Sequence, residues 1–245
     1  VGTHLKFYIE SGGVYNDITP IRATVTLTNP FTTTTSNPRV VTVVDSNGGF
    51  VSGDFVTFSG GSAVGGVTIV GEFQITLKTP TSYTIAIATN ATSAQTGGGT
   101  VTAAYQINTG ESFVVPVTGW GAAAWSAGAW STGANTNQLI RLWSQNNFGE
   151  DLIFGPRGGP IYLWDASGGV GARGVALAGT IDASNVPLVQ NAMLVSDISR
   201  FVFAFGCNPL GSSVKNPMLV RWSDQEDATQ WTPAATNQAG SLVLS

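Results

Sequence analysis

The chain has one cysteine, Cys207, and one histidine, His4. A single cysteine excludes an intrachain disulfide and a zinc site built on thiolates. A single histidine leaves a Ser-His-Asp triad nothing but His4 to use, and His4 falls inside a strand pattern (HLKFYIE), where a structural role is the expected one. Charge is scarce as well. Charged residues make up 10% of the 245, against roughly 25% in ordinary soluble domains. The net charge is −4, so no general basic field invites nucleic acid. Helical periodicity is absent throughout. The long uncharged run from Ser112 to Ile140 is too rich in Gly, Ser, Thr and Asn for a membrane helix, which excludes insertion by that route.

What remains is apolar and turn-rich. Hydrophobic residues reach 42% and glycines number 31, which reads as a folded, turn-rich, all-β chain rather than a disordered one. Low charge also suits a chain whose surfaces are covered by partners, although Thr/Ser/Gly-rich β proteins share it. The chain starts at Val1 rather than Met and stops in the alternating GSLVLS, so it is expected to be part of a longer polypeptide.

Strand signals begin with His4–Glu10, a turn at Ser11-Gly12-Gly13, Val14–Ile18 and Ile21–Leu27. Composition then shifts through the Pro- and Thr-rich stretch Asn29–Pro38. Six short strands follow: Arg39–Val44, Asp54–Ser59, Val67–Val70, Glu72–Lys78, Tyr83–Ala88 and Thr100–Ile107. Their spacing predicts a small β-barrel over 29–107, inserted into a body made of 1–28 and 119–245, with 108–118 as connector. From Leu139 onward LIRLWS, EDLIFG and PIYLWD predict a meander, with turns at Asn146-Asn147 and Pro156–Gly159. Val175–Leu177, Val186–Val189, Ala192–Ser196, Arg200–Gly206, Met218–Ser223 and Ser241–Leu244 carry strands to the end. Strands and polar turns repeating in this way suggest blades of a partial β-propeller.

Trp120, Trp125 and Trp130 recur every five residues among Gly, Ala and Ser. Five is neither a helix nor a strand period, so each indole is expected on its own turn. The ladder suits stacking on sugars or bases. It equally suits packing on backbone that Gly and Ala let approach, and packing is the favoured reading.

Carboxylates are sparse. Glu150-Asp151 and the run Asp224, Glu226, Asp227 are the clusters, and Asp165 and Asp224 each follow a Trp-containing strand. A glycosidase needs two carboxylates across a cleft. An Asp after a strand more often caps a turn, and that reading is preferred. The 224–227 run lacks the spaced oxygen ligands of a calcium loop. The Gly-rich loops at 60–66, 97–99 and 168–174 are followed by neither a Lys-Ser/Thr pair nor a helix, so they make poor phosphate cradles. Cys207 reads as a small buried apolar group rather than a nucleophile. No catalytic, cofactor-binding or metal-ligating residue is assigned, no cofactor is called for, and an enzyme is not expected.

Two stretches carry a resemblance. They are GTHLKFYIESGGVYNDITPIR (Gly2 to Arg22) and IRLWSQNNFGEDLIFGPRGGPIYLWD (Ile140 to Asp165), the latter continued by VRWSDQEDATQWTPAATNQAG (Val220 to Gly240). They resemble structural tail proteins of tailed bacteriophages, among them the stabilisation, hub or nozzle proteins of short-tailed phages. The stretch from VTVVDSNGGF to VTAAYQINTG resembles the small β module often inserted in such chains, which is likened to the FCCH-like domain of ubiquitin-activating enzymes and implies no ubiquitin chemistry here. The resemblance implies a virion tail protein with a propeller-like body, assembled as a homo-oligomeric and commonly sixfold ring around the DNA exit channel. Its partners would be other tail proteins and the portal or adaptor, with DNA in transient passage. Residues outside the insert suffice for about three blades at ~40–45 residues each. A glycan-binding or glycan-cleaving tailspike-type protein is the alternative.

Overall fold

The computed structural model describes residues 1–46, 50, 52–107, 113–116 and 137–244. Trp120, Trp125 and Trp130 lie outside the described residues. The fold is all-β, and the chain divides into two compact units: Ile21–Ile107, and Val1–Pro20 together with Asn108–Ser245.

The chain opens with a hairpin of β1 (Tyr8–Ser11) and β2 (Val14–Asp17). It then enters the first of the two units named above through β3 (Ile21–Thr28), β4 (Phe31–Thr32), β5 (Val40–Val44) and β6 (Phe55–Gly60). β7 (Gly71–Lys78), β8 (Ser82–Ala86), β9 (Thr96–Gly97) and β10 (Thr100–Gln106) complete it. These eight form one antiparallel sheet in the order β3-β10-β6-β7-β8-β5-β4-β9, curled into a nearly closed barrel. The alternation puts one side of each strand inside. Val41 and Val43, Val56 and Phe58, Tyr83 and Ile85, and Val101, Ala103 and Tyr105 are all buried in one core. Phe31 and Phe58 meet edge to face at 5.1 Å. Fully burying a side chain of this size contributes roughly 1.5–3 kcal/mol.

Two expectations are corrected here. Ile21–Thr28 was expected in the body, but β3 pairs with β10 from Thr28↔Thr100 to Ile21↔Gln106, so the compact unit starts at Ile21 rather than 29. Val67–Val70 is not a strand: Val67 bridges back to Val64, and Val67 and Ile69 fill the core from an extended segment without a ladder of its own.

The second unit, the body, takes up the chain again at β11 (Phe113–Pro116), inside the expected connector, which pairs with β12 (Asn137–Ile140). Two four-stranded antiparallel meanders follow. The first joins β13 (Trp143–Phe148), β14 (Asp151–Pro156), β15 (Tyr162–Trp164) and β16 (Val175–Ala176). The second joins β17 (Ala192–Val195), β18 (Val202–Phe205), β19 (Leu219–Trp222) and β20 (Gly240–Val243). Asn146 and Asn147 lie within β13, paired with Ile153 and Leu152, rather than in a turn. The reversal is two residues later, where Gly149 takes φ 70, a left-handed conformation glycine adopts without strain. Val186–Val189 forms no strand either; Leu188 and Val189 donate their N–H groups to the Asn208 side chain instead of to a ladder. Short 3-10 turns at Ala166–Gly168 and Leu177–Gly179 are the helical elements of the described residues, and no helix there is long and apolar enough to cross a membrane.

Both meanders share a core in which Ile153 and Ile161 of the first region meet Met193, Val195, Val202, Ala204, Leu219 and Trp231 of the second. The opposite side of the first meander carries Phe154, on which Phe7 stacks at 4.5 Å with Trp143 alongside at 5.0 Å from Phe7. Trp143 donates its indole N–H to the Thr3 carbonyl at 2.8 Å. Asp17 fixes this N-terminal segment further by pairing with Lys6 at 3.0 Å and Arg173 at 2.9 Å. Burial pulls the Asp17 carboxyl upward, but hydrogen bonds from Thr19 and Lys6 and the Arg173 charge outweigh it and hold it below its ordinary value.

Candidate functional site

Each aspartate considered from the sequence turns out to accept backbone hydrogen bonds. Asp165 is the N-cap of a 3-10 turn and accepts from Ser167 N–H at 2.8 Å. Asp151 accepts from Ala166 N–H at 3.0 Å. Asp224 accepts from the N–H groups of Gln225 and Gln238, each at 2.8 Å. Asp227 accepts from the N–H and hydroxyl of Thr229 at 2.8 and 2.6 Å. Asp224 and Asp227 face each other across an isolated antiparallel bridge, and Glu226 between them has φ 58. These are turn-forming roles, satisfied by the chain's own N–H groups. Among the described residues, no three His, Cys, Asp or Glu side chains gather as a metal ion would need.

His4 is half-buried, and burial followed by the nearby Arg141 charge holds its imidazole below the ordinary value, which favours the neutral form at pH 7. Cys207 is fully buried, and burial pushes its thiol up against a smaller opposing pull from Arg221. The Gly-rich loop at 60–66 serves close packing: a side chain at Gly65 would run into Thr33 and the Ser93 carbonyl.

The group that strand reading passed over is Arg221. It stands on β19 in the buried phase of the alternation, between Leu219 and Ser223, and is 1% exposed. Nη1 donates to the Asn208 carbonyl at 3.1 Å, and Nη2 donates to those of Asn185 at 2.6 Å and Trp231 at 3.3 Å. The guanidinium carbon lies 5.9 Å from the centre of the Trp231 ring, within cation–π range. Burial draws the Arg221 pKa down from its ordinary value, yet a guanidinium stays protonated at any physiological pH. The side chain thus gathers three loops around one buried cation. Asn208 extends the knot by donating to the Ser212 carbonyl at 2.7 Å. The only sequence signal for it was an arginine on the apolar phase of LVRWS, a single position that alternation alone could not weigh.

These loops border a cleft of about 440 Å³, lined among others by Asn185, Leu188, Asn208, Leu210, Ser213 and Arg221. Its described lining contains amides, hydroxyls, aliphatics and this one fixed cation, with no group able to exchange a proton near neutral pH. General acid–base chemistry needs such a group within hydrogen-bond reach of the reacting atoms.

No family model matches the chain, and no curated protein matches it. Among solved structures it is similar to the phage phi92 endosialidase, with 14% sequence identity and a TM-score of 0.31; the match covers 86% of this chain and 31% of that one. The chain therefore spans about a third of the length of the structure it matches.

Proposed function

We propose that the chain is a non-enzymatic structural component of a phage tail, of the hub or nozzle kind, assembling as a ring that forms or seals the DNA exit channel. The observation that carries this reading is the packing of the body. Three stretches far apart in sequence bear the resemblance to phage tail proteins: Gly2 to Pro20 within the first, Ile140 to Asp165, and Val220 to Gly240. They fold into one unit. Phe7 of the first stacks on Phe154 of the second, and Ile153 and Ile161 of the second share a core with Ala228 and Trp231 of the third. The motifs are thus structural in what they do: they supply core residues and turn caps. Four-stranded antiparallel meanders are also the unit from which propeller blades are built. Other tail proteins and the portal or adaptor are the partners of such a ring, and a net charge of −4 suits a channel wall that lets DNA slip past without phosphate contacts.

Light scattering and negative-stain imaging of the protein test the reading. The expected result is a closed ring, sixfold by resemblance, with no turnover of polysaccharide. A monomer at all concentrations, a lumen lined with Lys and Arg, or saturable binding and cleavage of a host glycan would overturn it, the last in favour of a tailspike-type protein.

A further inference from the structure

The cleft beside β19 carries a positive charge that has no counter-ion among the described residues. Arg221 donates through Nη1 to the Asn208 carbonyl and through Nη2 to those of Asn185 and Trp231. Asn185 and Asn208 also line the cleft, so the guanidinium lies at its base. A guanidinium has five N–H donors, and three are spent on these carbonyls. Among the described residues no carboxylate pairs with it, and the cleft's described lining holds no other charge. Carbonyl dipoles solvate a buried cation without cancelling its charge. The walls around that base are aliphatic. Val186 is buried, and Leu188 and Leu210 line the cleft while remaining 51% and 44% exposed. Hydrogen bonds hold these walls in place. Asn208 Oδ1 accepts from the N–H groups of Leu188 and Val189, and its Nδ2 donates to the Ser212 carbonyl. Asn185 takes φ 52, a left-handed conformation asparagine tolerates, and its Nδ2 donates to the Thr232 hydroxyl at 2.8 Å. A site fixed before anything binds loses little entropy on binding.

We propose that this cleft binds the carboxyl-terminal residue of another polypeptide, with its carboxylate toward Arg221 and an aliphatic side chain among Val186, Leu188 and Leu210. Charge complementarity selects an anion, and a partly buried charge acts more strongly than one in open water. A single cation matches a single negative charge, so a carboxylate fits better than a phosphate dianion. A terminal residue carries its carboxylate and its side chain on the same Cα, which suits a cation set beside an aliphatic wall. An internal Asp or Glu holds its carboxylate at the tip of the side chain, with no apolar group branching beside it. A sugar acid offers the same charge, but the described lining has no aromatic ring for a sugar to stack on. The amide of Asn185 and the hydroxyls of Ser212 and Ser213 suit the N–H and C=O groups of a peptide backbone. The volume of about 440 Å³ falls within the ~300–1,000 Å³ of clefts that hold small ligands. With no proton-exchanging group in the lining, the peptide is held and not cut. The site lies within one subunit and needs no ring.

The test uses the full chain and a labelled tetrapeptide, Gly-Gly-Ala-Leu, ending in a free carboxylate or in an amide, with binding read by fluorescence polarisation. The free acid should bind about tenfold more tightly than the amide, and high salt should narrow the gap. Ser213→Asp sets a carboxylate at the rim and should bring the acid down to the affinity of the amide. Ser213→Asn, similar in size and uncharged, should leave the acid's advantage in place. Ser213 is exposed, so both variants should melt with the parent. If they do not, Leu210→Asp set against Leu210→Asn gives the same comparison of charge. Equal affinity for acid and amide, no saturable binding of either at millimolar peptide, or a folded Ser213→Asp that binds like the parent overturns the proposal. Displacement of the acid by glucuronate at lower concentration than by the unlabelled peptide also overturns it and assigns the cleft to sugar acids. None of these outcomes bears on the ring, which light scattering reads separately.

Discussion

In the barrel, Thr42, Thr84 and Thr102 stand on the side away from the core, while in the second meander of the body Phe203, Phe205, Val220 and Trp222 hold the corresponding outer positions. Both regions bury the other side of their strands equally well. The difference is what each asks of its surroundings. A sheet curled on itself encloses its apolar side and presents threonines, whose β-branched stems suit strands and whose hydroxyls suit water. An open meander has two sides to place, and the body places them by stacking: Phe7 on Phe154, then the shared core, then an aromatic face beyond it. The barrel encloses its apolar side with its own residues, whereas the described residues of the body leave the aromatic face of the second meander only half-buried.

The strongest way to break this comparison is to separate the two. Residues 21–107 expressed alone should fold and melt cooperatively, since the core of that unit draws on its own strands. An unfolded fragment would mean the barrel depends on the body. Next in size is Arg221→Met. It leaves three carbonyls without their donor in a buried setting, at about 1–3 kcal/mol for each unsatisfied group. All seven tryptophans lie outside 21–107, so emission excited through tryptophan alone reports the body. Its transition should shift by about 3 kcal/mol or more, with the tyrosine signal of the barrel unmoved. A shift of both signals would show the units unfold as one.

pH should separate them further. In the barrel, Tyr83 and Tyr105 exchange a hydrogen bond at 2.8 Å, and Tyr105 donates to the buried Asp45 at 2.6 Å. Burial is the main cause raising both phenols well above their ordinary value, with the Asp45 hydrogen bond next for Tyr105. A raised folded pKa contributes stability that is present below the ordinary phenol value near ~10 and is lost as pH climbs toward the folded one. Alkaline pH should therefore weaken the barrel, and Tyr105→Phe should remove part of that dependence, leaving the share of Tyr83, while costing about 1 kcal/mol or more at pH 7. The body has Tyr162, beside Phe154, raised by burial as well. Its distinctive limb is acid: the depressed Asp17 contributes stability present above ~3.9 and lost as pH falls through its folded value. Acid titration that leaves the tryptophan signal stable while the barrel melts would reverse the assignment. Smallest is Glu226→Gly. A non-glycine residue at φ 58 carries roughly 1 kcal/mol of strain, so the body should melt slightly later, and an unchanged or lower transition would show that the Glu226 side chain offsets it.

Much of the architecture was legible without the structure. Period-two alternation located most strands, because which side chains share a face follows from the pleat alone. Alternation also separates the two sides of each barrel strand, though which side faces the core was decided by the curl of the sheet. It failed where pairing partners decide. Ile21–Leu27 reads as a strand wherever it lies, and only its ladder with β10 puts it in the barrel. Val67–Val70 alternates like a strand and has no neighbour to bond. Arg221 reads as one charge among few, and becomes the knot of three loops only when Asn185, Asn208 and Trp231, distant in sequence, bring their carbonyls to it. Local periodicity is a property of the backbone and was written in the chain; partnership is a property of long-range contact, and tertiary structure alone could supply it.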